Sequence, residues 1–258
     1  MRALPPAAIL LLITLAAAAC GGGSGGSGRG TPVPGTGARA SAQRTAKAAL
    51  ASPAPCTAPP APAPAAGATG TSSAAADVNG DGAADDITTY LPPSGGAWRV
   101  RVTLASGYAL DQEIADSVVA VPVQPLGGYD IDGDGTEEAF VAIGGIWGTR
   151  IIGLYDFDIA TCTLARVVTA DGAPAAFPVG AAAVAIRGLV CIKAGPGGRP
   201  ALTRTSGTST DGAAYAGVTE TYTLSGRQLS AGATTVTTFT GAAIQAAAGL
   251  HCGALAAP

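Results

Sequence analysis

The stretch YDIDGDGTEEAFVAIGG, residues 129–145, sets Asp130, Asp132 and Asp134 at alternate positions, follows them with Gly135, and reaches Glu138 before an apolar run. Alternate positions on a tightly turning loop aim three side-chain oxygens inward. Calcium takes six to eight hard oxygens at about 2.3–2.6 Å, so this is a candidate cation loop. The glycine permits the sharp turn. The carbonyl of Thr136 and the carboxylate of Glu138 complete the protein ligand set. An earlier stretch, ADVNGDGAADDITTYL, has the same layout 53 residues upstream (130 − 77) and offers Asp77, Asn79, Asp81, the Ala83 carbonyl and Asp85. Four acids crowd residues 77–86 and five crowd residues 130–138. Without a cation their repulsion opposes a compact loop. The plain alternative is a pair of solvated turns, which favour Asp and Gly for conformational reasons alone.

Other groups that carry chemistry are sparse. Asp156 and Asp158 in LYDFDIA are the carboxylates outside the loops that suit a glycosidase. Their alternation reads more simply as the outer face of a strand, with Tyr155 and Phe157 inward. His251 is the one histidine, and a Ser-His-Asp or Cys-His site would have to recruit it beside Cys252. With one histidine and no paired-cysteine spacing, zinc is disfavoured. Two glycine patterns within GGGSGGSG, at Gly22–Gly26 and at Gly21, Gly23 and Gly26, mimic a hydrolase elbow and a dinucleotide fingerprint. No strand precedes either, and both belong to a low-complexity linker.

The elements that must hold the loops read as strands. In AWRVRVTL, Trp98, Val100, Val102 and Leu104 alternate with Arg99, Arg101 and Thr103, the period of a strand with one buried face. DITTYL, EAFVAI, TRIIGLYDFD, CTLARVVT, RPALTRTS, GVTETYTL and TTVTTFT are likewise rich in β-branched residues and separated by turn residues. GAAIQAAAGL alone reads as a short helix. A mainly β domain is predicted over residues 76–258, antiparallel because most connections are too short for helical crossovers.

The loops are not EF-hands. Position twelve is Thr88 or Val141 rather than glutamate, and strands follow instead of a helix. The pattern D-x-[DN]-G-D-G-x-x-[DE] running into a strand resembles the calcium loops of FG-GAP and VCBS repeats, the blade units of integrin-type β-propellers. That resemblance implies a calcium ion in the loop between strands of each blade, bracing the turn rather than performing chemistry. It also implies blade-like antiparallel sheets forming a small or incomplete propeller. About 180 residues at 40–50 per blade give roughly four units, and residues 197–232 are read as a degenerate third unit without its loop. The chain is also similar to repeat-containing secreted proteins of high-GC actinobacteria, in which DxDGDG and a later STDG precede a Tyr-rich strand.

Residues 1–19 carry Arg2, an apolar run over 7–19 and small residues up to Cys20, the grammar of a signal peptide and too short a run to span a bilayer. LAAAAC resembles a bacterial lipobox, which implies lipidation at Cys20; ordinary secretion is the alternative. Residues 20–75, rich in Gly, Ser, Ala and Pro, read as a disordered tether. Residues 77–258 hold all 17 acids and nine bases, a balance of 9 − 17 = −8, which argues against nucleic acid as a partner. Four cysteines remain beside Cys20, an even number in an exported chain. Cys162–Cys191 is the expected disulfide, with Cys56–Cys252 as the second, although three connectivities are open. The expectation is a lipid-anchored, extracytoplasmic, calcium-braced binding or scaffolding domain. Its partners would be the membrane, through the anchor, and an envelope protein or glycan. A polysaccharide hydrolase using carboxylates and a structural spacer are the competing classes.

Overall fold

The structure is a computed structural model that describes residues 56, 59–117, 122–146, 148–193 and 199–255. The expected signal peptide, Cys20 and most of the expected tether lie outside the described residues.

The first sheet is a four-stranded antiparallel meander: β1 (Thr69–Ala76), β2 (Asp85–Leu91), β3 (Trp98–Thr103) and β4 (Ala109–Ile114). The second opens with β5 (Gln124–Tyr129), β6 (Glu138–Ile146), β7 (Thr149–Asp158) and β8 (Thr163–Arg166), again antiparallel in chain order. The two stretches share one layout: β6 begins 53 residues after β2 (138 − 85). Adding 53 to the first residues of β3 and β4 gives 151, inside β7, and 162, one residue before β8. Each acidic loop therefore joins the first and second strands of its meander.

Beyond β8 the second sheet does not end as a separate unit. After the short β9 (Val168–Thr169), β10 (Ala176–Ala182) pairs with the free half of β7 and leads through β11 (Ala185–Ile192), β12 (Ala201–Thr208) and β13 (Ala214–Ser225) to β14 (Gln228–Thr240). The expected short helix is present as α1 (Ala242–Ala247), followed by β15 (Gly249–His251). β15 runs parallel to β11, and β9 parallel to the first two residues of β14. The fold is mainly β with antiparallel and mixed sheets, neither closed into a barrel.

Two hydrophobic cores share a wall. Ala139, Val141 and Ile143 of β6 face Ile87, Val100, Val102 and Ile114 of the first sheet. Phe140 and Ala142 face the opposite way, onto Phe177, Leu189, Leu202 and Leu250. A strand covered on both faces reads as an unbroken apolar run, which is why EAFVAI shows no polar alternation.

The tether ends earlier than its composition suggests. Residues 69–75, assigned to it by their Thr, Ser and Ala content, form most of β1 and pair with β2. Farther upstream, the chain meets Arg101, which stands on the β3 face expected to be solvated and is only 8% exposed. Its guanidinium pairs with Asp111 at 3.1 Å and donates to the carbonyls of Ala61 and Pro62 at 3.0 and 2.7 Å. The Ala61 N–H in turn bonds the Ala109 carbonyl at 2.7 Å. A buried guanidinium needs acceptors, and this backbone supplies them.

The disulfides are Cys56–Cys162 and Cys191–Cys252, which corrects the expected pairs Cys162–Cys191 and Cys56–Cys252. Pairing by proximity along the chain fails because β15 returns beside β11. With Val190 opposite His251, the parallel register brings Cys252 up to Cys191. Cys162, in the turn after β7, meets Cys56 at the edge of the first core. In the chain-entropy picture, sequence separations of 106 and 61 correspond to about 4–5 kcal/mol of stabilisation each.

Candidate cation loops

The two loops fold by the same local bonds. In the first, Asp77 Oδ2 accepts the Gly82 N–H at 2.9 Å, Asn79 Oδ1 accepts Asp81 at 3.0 Å, and Asp81 Oδ1 accepts Ala83 at 2.7 Å. In the second, Asp130 Oδ2 accepts Gly135 at 3.2 Å, Asp132 Oδ1 accepts Asp134 at 3.2 Å, and Asp134 Oδ1 accepts Thr136 at 2.7 Å. The closing acid accepts the amide seven residues before it in both: Val78 to Asp85 at 3.1 Å and Ile131 to Glu138 at 2.8 Å. Gly80, Gly82, Gly133 and Gly135 all have φ between 69° and 97°, the left-handed region that glycine enters freely.

The loops also touch each other. The Asp77 N–H donates to Glu137 Oε2 and the Glu137 N–H donates to the Asp77 carbonyl, each at 2.9 Å. A Cβ on Gly80 would lie 3.0 Å from the Gly135 carbonyl oxygen.

Their chemistry then diverges. Asp85 is buried, and its second oxygen accepts the Ala105 N–H at 2.8 Å. Burial raises its pKa, and the Ala105 and Val78 amides pull it back. Glu138 is 2% exposed, and among the described residues Ile131 is the one donor to its carboxylate. Burial pushes its pKa up to about 9. The Ile131 amide opposes this, while Asp132, Asp156 and Asp134 reinforce it. Asp132 is also raised, by burial and then by Asp134. Asp130, Asp132 and Asp134 bring carboxylate oxygens within 4.8 Å of one another. Three converging carboxylates near a buried fourth offer hard oxygens of the kind a cation such as calcium takes, and a bound dication would offset their repulsion. In the first loop Asn79 stands where the second has Asp132, which removes one charge. No comparable acidic triad forms there among the described residues.

Three clefts flank the second loop. One of about 430 Å³ is lined by Asp134, Thr136, Asp156, Asp158 and Arg227. A second of about 350 Å³ includes Asp132, Arg199 and Ser225, and a third of about 330 Å³ includes Tyr129, Asp130 and Lys193. Arg227, in the turn between β13 and β14, donates Nε–H to Asp156 at 3.0 Å and bonds the Thr163 carbonyl at 3.0 Å. It ties that turn to β7 and β8. Asp156 is raised by burial against the Arg227 hydrogen bond, and Asp158 is lowered chiefly by the Thr161 hydroxyl. Tyr155 and Phe157 do point into the core, as the strand alternation predicts. His251 Nε2 donates to the Ala248 carbonyl at 2.7 Å, and its neighbour Cys252 is held in a disulfide.

Sequence reading missed Arg227, Glu137 and Arg101. Each acts on chain distant in sequence, and the only signal at Arg227 was its place in the turn LSGR. No protein-family model, curated protein or solved structure matches this chain.

Proposed function

We propose that the chain is an extracytoplasmic, calcium-braced β-repeat module that binds or scaffolds at the cell envelope, lipid-anchored through Cys20. The observation that carries the reading is the convergence of Asp130, Asp132 and Asp134 beside buried Glu138. Calcium supplies charge neutralisation and rigidity there; Asp130, Asp132, Asp134, Glu138 and the Thr136 carbonyl would hold it. Asp77, Asn79, Asp81, Asp85 and the Ala83 carbonyl are the weaker set. The FG-GAP/VCBS-like reading draws support from the position of both loops, each between the first and second strands of a four-stranded antiparallel meander. On that reading the meanders are blades of an incomplete propeller, and clefts around the second loop receive the ligand.

A hydrolase is the second reading, favoured by the 430 Å³ cleft with Asp134, Asp156 and Asp158 on its wall. Calorimetric titration with calcium separates the two. A calcium site with Kd around 10⁻⁴–10⁻³ M, the range of extracellular modules, that disappears in Asp132→Asn and Asp134→Asn supports the module. No calcium heat, together with release of reducing sugar from envelope polysaccharide that Asp156→Asn abolishes, would replace it with the hydrolase.

A further inference from the structure

The outer edge of β14 lies largely unpaired among the described residues. β9 pairs only with Gln228 and Leu229, so from Ser230 onward the outer side of β14 faces no strand among the described residues. A register shift opposite Glu220–Tyr222 lies just before Thr234. Past it runs TTVTTFT, seven residues paired regularly with β13 on one side only. Natural sheet edges are blunted by charges, proline, bulges or covering chain. β4, an edge of the first sheet, carries Asp111 and Glu113, and β5 carries Pro125 and a register shift at Pro125/Gly127. Among the described residues, Thr234–Thr238 has none of these devices, α1 packing only near Phe239 at the end of the strand, and no Asp, Glu, Lys or Arg follows Arg227 in the sequence. Thr234, Thr235 and Thr238 are exposed, and Val236 is 83% exposed, the highest among the large apolar side chains so exposed.

The sequence of the edge also selects its partner. Thr234-Thr235-Val236-Thr237-Thr238 reads the same in both directions about Val236. An antiparallel pair with its two-fold axis at Val236 sets Val236 against Val236, Thr235 against Thr237 and Thr234 against Thr238. Directly opposite residues lie on the same face, and Thr–Thr and β-branched pairs are favourable there. A two-fold contact must be self-complementary, and a neutral palindrome meets that condition although the domain as a whole carries −8 (9 − 17). We infer that two copies of this chain pair edge to edge through β14, centred on Val236, and continue the second sheet across the dimer.

The test uses the full chain and two independent readouts. Sedimentation at roughly 100 μM should show a dimer, and Val236→Lys, which sets two ammonium groups opposite each other, should weaken self-association at least tenfold. Far-ultraviolet circular dichroism confirms that the exposed variant keeps its fold. In parallel, Val236→Cys should form an interchain disulfide under mild oxidation well above the level of Ser94→Cys, a thiol placed in the exposed β2–β3 turn. A monomeric wild type overturns the inference, as does self-association unchanged by Val236→Lys or cross-linking no higher than in the Ser94→Cys control. Pairing of β14 with a foreign strand would appear as the first of these.

Discussion

The turns at Asp77 and Asp130 receive matching backbone hydrogen bonds, but they differ at the second oxygen of the closing acid. Asp85 has the Ala105 amide; Glu138 has no second donor among the described residues, and burial raises its pKa to about 9. The same local code thus yields a turn whose closing acid gains a second amide from the β3–β4 turn and a turn that leaves carboxylate oxygens converging. Hydrogen bonds within a loop fix its shape; the β3–β4 turn adds a second donor for Asp85, and no described residue does the same for Glu138.

The largest effect that would sharpen this contrast is on Asp85. Asp85→Ala leaves the buried Val78 amide without its acceptor, costing about 1–3 kcal/mol, and breaks the bond from the exposed residue Ala105, worth about 0.5–1.5 kcal/mol. Urea unfolding should show a loss of about 2–4 kcal/mol, equal in calcium and in chelator. A loss confined to calcium-containing buffer would make the first loop the principal cation site and reverse the comparison.

Next in size is the calcium increment. With Kd of 10⁻⁴–10⁻³ M, about 10 mM calcium should add roughly 1.4–2.7 kcal/mol, seen as several degrees in Tm. Asp134→Ala should erase it, and Asp81→Ala should retain most of it. Equal loss in both variants would show that the two loops bind alike.

A smaller loss is expected for Glu137→Ala, which removes the acceptor of the Asp77 N–H. It should cost about 1 kcal/mol and leave the calcium increment intact; abolition of the increment would mean that the loops bind as one unit. Smallest is the difference between two glycines. Gly80→Ala and Gly82→Ala both force a side chain into positive φ, but only at Gly80 does the new Cβ meet the other loop, at the Gly135 carbonyl. Gly80→Ala should therefore be the more destabilising by up to about 1 kcal/mol. Equal melting temperatures would show that loop contact contributes nothing.

The loops were legible in sequence because their logic is local: spacing sets which oxygen meets which amide within seven residues. Strands with β-branched alternation, such as β2, β3 and β7, were legible for the same reason. β1 was taken for tether because TGTSSAAA has no large apolar face; pairing with β2, not burial of its own side chains, makes it a strand. β5, β10 and β11 contain Pro125, Pro178 and Gly188, residue types that weaken a strand pattern, yet long-range pairing holds them in place. The disulfides were misread because the parallel return of β15 to β11 is a non-local event that no spacing encodes. The placement of Glu138 in a buried wall, and hence its raised pKa, follows from two cores meeting on β6.

The Cys56–Cys162 bond changes how the domain would respond to mechanical load. Tension applied to the chain before Cys56 does not reach β1 first. It passes through sulfur to the turn between β7 and β8, bypassing the first sheet, both acidic loops and the rest of the chain between the two cysteines, which are 106 positions apart. The first sheet cannot be peeled away strand by strand from that end, and its strands lie off the load path. A pull on the chain before Cys56 is borne by the β7–β8 region, which Arg227 also fastens to the β13–β14 turn. The weak link under such a load is set by where the staple enters.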